Sequence, residues 1–239
     1  MTPVTDILAP GPDGRPRCWW GVGGGDLYLR YHDEEWGRPV TEDRRLFEML
    51  VLEGFQAGLS WSTILRKREA FRAAFAGFEP GEVAAFGEAD VNGLLGDAGI
   101  VRHRGKIEAA VANGRAALKT VAEAGSLAAY LWPWAVGAGP APRSTGDVPA
   151  ETAQSRALSR DLKRRGFSFV GPTIVYAFMQ AVGLVDDHAA GCIVRSGVEA
   201  ARQPVLRQFG IAPASGRGGG AGCPPAAASV ATLLQDGGE

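Results

Sequence analysis

Cysteine is scarce in this chain, three in 239 residues, and an odd number of thiols cannot all pair. A disulfide framework is therefore excluded as the organising device, and a cysteine beside a histidine reads more readily as a metal ligand. No run approaches the ~18 consecutive apolar residues of a membrane span, and the N-terminus lacks a basic-then-apolar secretory pattern. These absences predict a cytoplasmic protein with no membrane partner. Net charge is also nearly missing, at −1, so the overall balance selects neither nucleic acid nor an acidic ligand. There is no internal repeat, and strand-like alternation is confined to FSFV at 167–170. The expected fold class is all-α.

The length suits one domain of about 180 residues with tails. Prolines and glycines crowd 1–16, which is expected to be a flexible extension, with the domain at 17–197. The tail, 198–239, contains ASGRGGGAGCPPAAAS at 214–229, a low-complexity and disordered composition in which Cys223 is an idle thiol. Between the tails the helix signals are regular. Thr41 with Glu42 and Asp43 behind it predicts an N-cap leading into Leu46, Met49 and Leu50. A helix pair is expected across 99–105. Ser155 is expected to cap a helix stopped by Gly166, and Pro172 to open one ended by Gly183.

The segment LEGFQAGLSW at 52–61 is chemically the richest. Gly54 and Gly58 are poor helix-interior residues, at roughly 1 kcal/mol each relative to Ala, which predicts a helix end, a turn and a new start at a Ser60 cap. Glu53 and Trp61 brought together there offer a carboxylate and an indole to a flat, electron-poor ring. The competing readings are core packing for Trp61 and a surface carboxylate for Glu53. Bases gather at 66–68 with Arg72, at Arg102 to Lys106, and at 163–165. Singly these are solvated helix ends; together they suit a phosphate backbone. His188 and Cys192, four apart on a helical turn, converge on one point, and Cys18 and His32 form a second pair. Two Cys and two His match a closed structural zinc site; the alternative is a buried small Cys and a surface His.

Read together, these residues resemble the 3-methyladenine DNA glycosylase I family of bacterial alkylation-repair enzymes. The matching pieces are RCW at 17–19, YLRYHDEEWG at 28–37, LFEMLVLEGFQAGLSW at 46–61, DAGIVRHRGKI at 97–107 and the stretch from 158 through Cys192. The resemblance covers 17 to about 195. It implies a helix-hairpin-helix glycosylase fold, with zinc on Cys18, His32, His188 and Cys192 joining the two ends of the domain. It implies a base pocket of Tyr28, Tyr31, Trp36, Glu53 and Trp61, in which Glu53 is the catalytic candidate by orienting the base, not by acting as a general base. Gln56 and Leu59 fall where the family plugs the duplex, and Gly99, Arg102, Arg104 and Lys106 where a hairpin meets phosphate.

The implied function is excision of 3-methyladenine from alkylated double-stranded DNA by a monomeric, monofunctional enzyme without lyase activity, working on the bacterial nucleoid. Methylation at N3 makes the adenine cationic, so electron-rich rings gain a cation–π term of about 0.5–2 kcal/mol. Two departures stand out: Gly23-Gly24-Gly25 lengthens the Cys18–His32 spacing by one residue, and Phe55 replaces a polar residue beside Gln56. Two other classes compete: a zinc-stapled DNA-binding protein without turnover, and a small-molecule hydrolase with a catalytic zinc on His188 and Cys192.

Overall fold

A computed structural model describes residues 7–137 and 139–211. Its organising element is a 14-residue helix, Asp43–Gln56, in which every residue from Leu46 to Phe55 is buried. A helix buried on all sides has no solvent face along that stretch, so its neighbours must enclose it. We number the helices α1 (Trp19–Val22), α2 (Asp26–Glu34), α3 (Asp43–Gln56), α4 (Trp61–Ala74), α5 (Pro80–Ala85) and α6 (Glu88–Gly96). Then follow α7 (Arg104–Ala124), α8 (Leu127–Leu131), α9 (Ala153–Arg164), α10 (Pro172–Ala181) and α11 (Arg195–Gln208). Helices α4, α7, α8 and α10 pack directly on α3. The consequence for function is that α3 carries two carboxyl groups, Glu48 and Glu53, into the interior.

The all-α expectation holds for the body, and the departures are local. Residues 8–16, expected to be flexible, form an antiparallel hairpin of β1 (Leu8–Pro10) and β2 (Pro16–Cys18), with Leu8 opposite Cys18. Arg17 secures it through Asp13 and through Asp33 on α2, the latter at 2.9 Å. The boundary expected after 197 falls inside α11, whose Val198, Arg202 and Leu206 are buried. Arg202 donates to the carbonyls of Gly183, Val136 and Leu184, so this helix belongs to the domain. The low-complexity run and Cys223 lie outside the described residues.

Capping shifts by small steps. Glu42, not Thr41, occupies the N-cap of α3. Thr152 caps α9 and exchanges hydrogen bonds with Ser155, its third residue. Ser60 caps α4 as expected, accepting from the Thr63 amide at 3.3 Å. Gly54 does not end a helix: a Cβ there would lie 3.3 Å from Phe169, so the glycine admits a close approach within α3. The turn comes at Gly58, with φ +77°, where glycine is the least strained residue. The 167–170 segment is a loop rather than a strand. Asn113 bonds both the amide and the carbonyl of Ser168, satisfying backbone groups that a sheet would otherwise claim.

Candidate active site and metal cluster

A cavity of about 320 Å³ opens where α2, the end of α3 and the start of α4 meet. Tyr28, Tyr31, Trp36, Glu53, Gln56 and Trp61 all line it. Each arrives for a local reason. Tyr28 and Tyr31 project from one face of α2 at three-residue spacing, and Trp61 is the first residue after the Ser60 cap. The Tyr31 and Trp61 rings lie 5.4 Å apart at 48°, and Tyr28 stands 6.5 Å from Tyr31.

Within this apolar wall two buried polar atoms find no partner among the described residues, Glu53 Oε2 and Trp61 Nε1. Unmade hydrogen bonds of this kind are costly and uncommon in native interiors. Burial holds the Glu53 carboxyl up at about 8, so it is largely neutral at pH 7. An amine-bearing heterocycle offers a donor to the carboxyl and a ring acceptor to the indole N–H. A positive charge on that ring would also oppose the burial effect and favour the carboxylate.

Several pocket residues carried no sequence signal of their own. Trp20 packs edge-on to Tyr28 at 5.5 Å and to Trp36 at 4.8 Å, and its place two residues after Cys18 was the available clue. Asp187 and Gln180 line another part of the wall. The Asp187 carboxylate accepts from Tyr176 Oη at 2.6 Å and from Gln180 Nε2 at 2.8 Å.

Behind Trp36 lies the second cluster. Cys18, His32 and Cys192 are buried, and their ligand atoms fall within 4.8 Å of one another. Cys18 comes from the end of β2 and His32 from α2, while His188 and Cys192, expected on one helical turn, both lie in the loop between α10 and α11, so the cluster joins both ends of the domain. A hydrogen bond from the Cys18 thiol holds the Cys192 thiol well below its ordinary value against the opposing effect of burial. His188 is not among those three, but its ring centroid is 5.1 Å from that of His32. His32 Nδ1 meets Asp33 at 2.7 Å and His188 Nδ1 meets Asp186 at 2.9 Å. A carboxylate on Nδ1 leaves Nε2 as the ligating atom. His188 Nε2 is fully buried and finds no hydrogen-bond partner among the described residues. Two thiols and the His32 imidazole, with the unpartnered His188 imidazole next to His32, form a donor set that suits a tetrahedral cation of zinc's type.

The residues expected at DNA divide. Leu59 is 41% exposed and Arg102 is exposed, as an interface requires. Arg104 is exposed but engaged by Glu88, Glu108 and Asn92. Lys106 is buried: its ammonium donates to the carbonyls of Phe55 at 2.9 Å and Ala57 at 2.5 Å, satisfying the end of α3. It is withdrawn from the surface and cannot contact phosphate there. The Gly99 amide is likewise taken by Asp97 Oδ1 at 2.7 Å, which leaves the loop between α6 and α7 with fewer free donors than expected. Arg68 and Arg72 of the first basic cluster pair with Glu35 and Glu48, and Arg165 with Asp161 and Glu123.

The sequence profile of methyladenine glycosylases matches residues 20–196. DNA-3-methyladenine glycosylase 1 of Escherichia coli K12 is 49% identical over 183 residues, 76% of this chain and 97% of that protein. A crystal structure of 3-methyladenine DNA glycosylase I superposes with a TM-score of 0.71 at 49% identity, covering 74% of this chain and 98% of the other. A variant of 3-methyladenine DNA glycosylase I in complex with 3-methyladenine also gives 0.71, at 37% identity over 74% and 96% of the two chains. No helix among the described residues is long and apolar enough to cross a membrane.

Proposed function

The chain belongs to the methyladenine glycosylase family and is an enzyme of the glycosylase class, and on that premise we propose that it excises 3-methyladenine from alkylated double-stranded DNA. The observation that carries this reading is the pairing of an orphaned, buried Glu53 carboxyl with an orphaned Trp61 N–H in one aromatic cavity. Tyr28, Tyr31, Trp36 and Trp61 supply electron-rich faces for a cationic purine. Glu53 accepts from the exocyclic amine and complements the charge. Neutral adenine lacks that charge and so cannot offset the carboxylate's burial.

The alkylated base departs neutral from a cationic state, so it is already a good leaving group. The task left to the protein is extrusion, recognition and accommodation of an oxocarbenium-like sugar. Glu53 acts by holding the base. Gln56 at the pocket rim and the exposed Leu59 fill the space the base leaves, and Arg102 meets the backbone from the loop between α6 and α7, which we read as the hairpin of a helix-hairpin-helix element. Lys106, bound to two carbonyls, has no free amine to form an imine with the sugar, which supports base release without lyase chemistry.

We further propose that Cys18, His32, His188 and Cys192 hold a zinc ion. Four protein ligands leave no open position, so the metal supplies a crosslink between the ends of the domain. Trp36 adjoins both places: its ring lies 4.6 Å from that of His188, and the residue lines the base cavity.

Incubating the purified protein with methylated duplex and identifying the released bases tests this function. Selective appearance of free 3-methyladenine with intact abasic strands is expected. Binding without release would indicate a non-catalytic DNA-binding protein, and strand cleavage by the enzyme would overturn the monofunctional reading.

A further inference from the structure

The loop before α10 holds Phe169 in an unusual state. Its φ is +54°, in the left-handed region that a bulky side chain adopts only when its surroundings impose it. The imposing contacts are visible. Asn113 grips Ser168 at both the amide (2.7 Å) and the carbonyl (3.0 Å), and Ser159 Oγ donates to the Val170 carbonyl at 2.6 Å. Asn113 and Ser159 are themselves buried, so the clamp is rigid.

The strain does not serve core packing. Phe167 and Val170 on either side are the buried anchors, at 3% and 1% exposure, whereas Phe169 is 38% exposed. A strained backbone that turns an aromatic ring outward between two buried neighbours suggests a role for the ring itself.

Its position defines that role. The Phe169 backbone rests on Gly54, the residue after Glu53, at an approach that any Cβ on Gly54 would crowd. On its other side the ring meets His103 edge-on at 6.4 Å, and His103 caps α7 at the end of the basic loop. Phe169 therefore stands between the end of the pocket helix and the loop carrying Arg102. Leu59, the other exposed apolar residue here, follows the same end of α3.

We propose that Phe169 is a second apolar wedge of the DNA-binding face, stacking on a base next to the gap that Leu59 enters. This rests on the reading of alkylated duplex DNA as substrate. Side chains inserted or stacked at a base step help hold a duplex in the unstacked state that extrusion requires. The Asn113 and Ser159 clamp keeps the ring in place before DNA arrives.

The test compares Phe169→Asn, Phe169→Tyr and wild type in two measurements: base release from methylated duplex, and affinity for free 3-methyladenine read by tryptophan fluorescence. Asn tolerates the left-handed backbone and lacks the ring; Tyr keeps the ring. A wedge predicts that Phe169→Asn loses about five- to a hundredfold in kcat/KM on duplex, the range that base–aromatic stacking commands. Free-base affinity should stay within about twofold, and Phe169→Tyr should stay near wild-type turnover. If Phe169→Asn is too unstable to assay, Phe169→Leu takes its place, with a severalfold loss on duplex and unchanged free-base affinity. Unchanged duplex turnover would sink the proposal, as would equal losses in both measurements, which would make the ring a prop for α3. A wild-type protein that binds the free base but releases none from duplex would instead overturn the proposed function.

Discussion

Helix α3 buries two glutamates five residues apart, and their surroundings are opposite. Glu48 is 2% exposed and held by Arg45 at 2.5 Å and Arg72 at 2.8 Å. Glu53 is 4% exposed, has an oxygen without any partner among the described residues, and is pushed up to about 8 by burial alone. At about 100° per residue the two face directions some 140° apart. One looks into an ion-paired seam with α4 and the other into the cavity. A buried acid that is paired explains itself structurally, whereas one left unpaired at a native site calls for a missing partner. The contrast separates architecture from recognition on a single helix.

The strongest way to break this comparison is Glu53→Gln. Release of 3-methyladenine should fall by about a hundredfold or more, ~2.7 kcal/mol of transition-state stabilisation, with the fold intact by circular dichroism. Wild-type kinetics in that variant would remove Glu53 from the site. The same logic of an orphaned atom applies at His188 Nε2. Cys192→Ser should abolish zinc binding measured by metal analysis and lower the melting temperature by about 10 °C, a loss of several kcal/mol at this chain length. Normal stability with full zinc content would contradict the crosslink.

A third measurement sharpens the contrast through pH. The Glu53 carboxyl ionises near 4.5 when unfolded and near 8 when folded, so the folded state binds the extra proton between those values. Its contribution to stability is fully present below about 4.5 and is lost as pH rises through 8. Comparing urea denaturation of wild type and Glu53→Gln, the variant should gain relative to wild type from pH 6 to pH 9, by a few kcal/mol at most. No relative gain would mean that the carboxyl is solvated. The smallest effect belongs to Glu48→Gln. It should cost about 1–3 kcal/mol in denaturant unfolding, moderated because Arg45 and Arg72 are partly exposed, and leave base release within about twofold. A large activity loss there would erase the distinction between the two acids.

Much of the site was legible because its signals are local. The Ser60 cap depends on neighbours within one helical turn, and the short motifs from Tyr28 to Cys192 carried the pocket and metal candidates by resemblance. Three things were not legible, for a common reason. Lys106 read as a surface base, but its partners are carbonyls about fifty residues earlier in the chain. Gly54 read as a helix breaker, but its contact is Phe169. The hairpin at 8–18 read as flexible because prolines and glycines dominate it, while its anchors, Asp33 and Ile193, lie elsewhere.

Composition and helical periodicity were enough to determine a helical body, and motif order, through the family resemblance, named the candidate pocket residues and the four candidate metal ligands. Only the folded arrangement decided which charges are neutralised and which are left waiting. It paired Arg68, Arg72 and Arg104 with acids, withdrew Lys106, and left Glu53, Trp61 and His188 with unsatisfied atoms. Pairing and desolvation depend on contacts between residues far apart in the chain, and local sequence does not encode those distances.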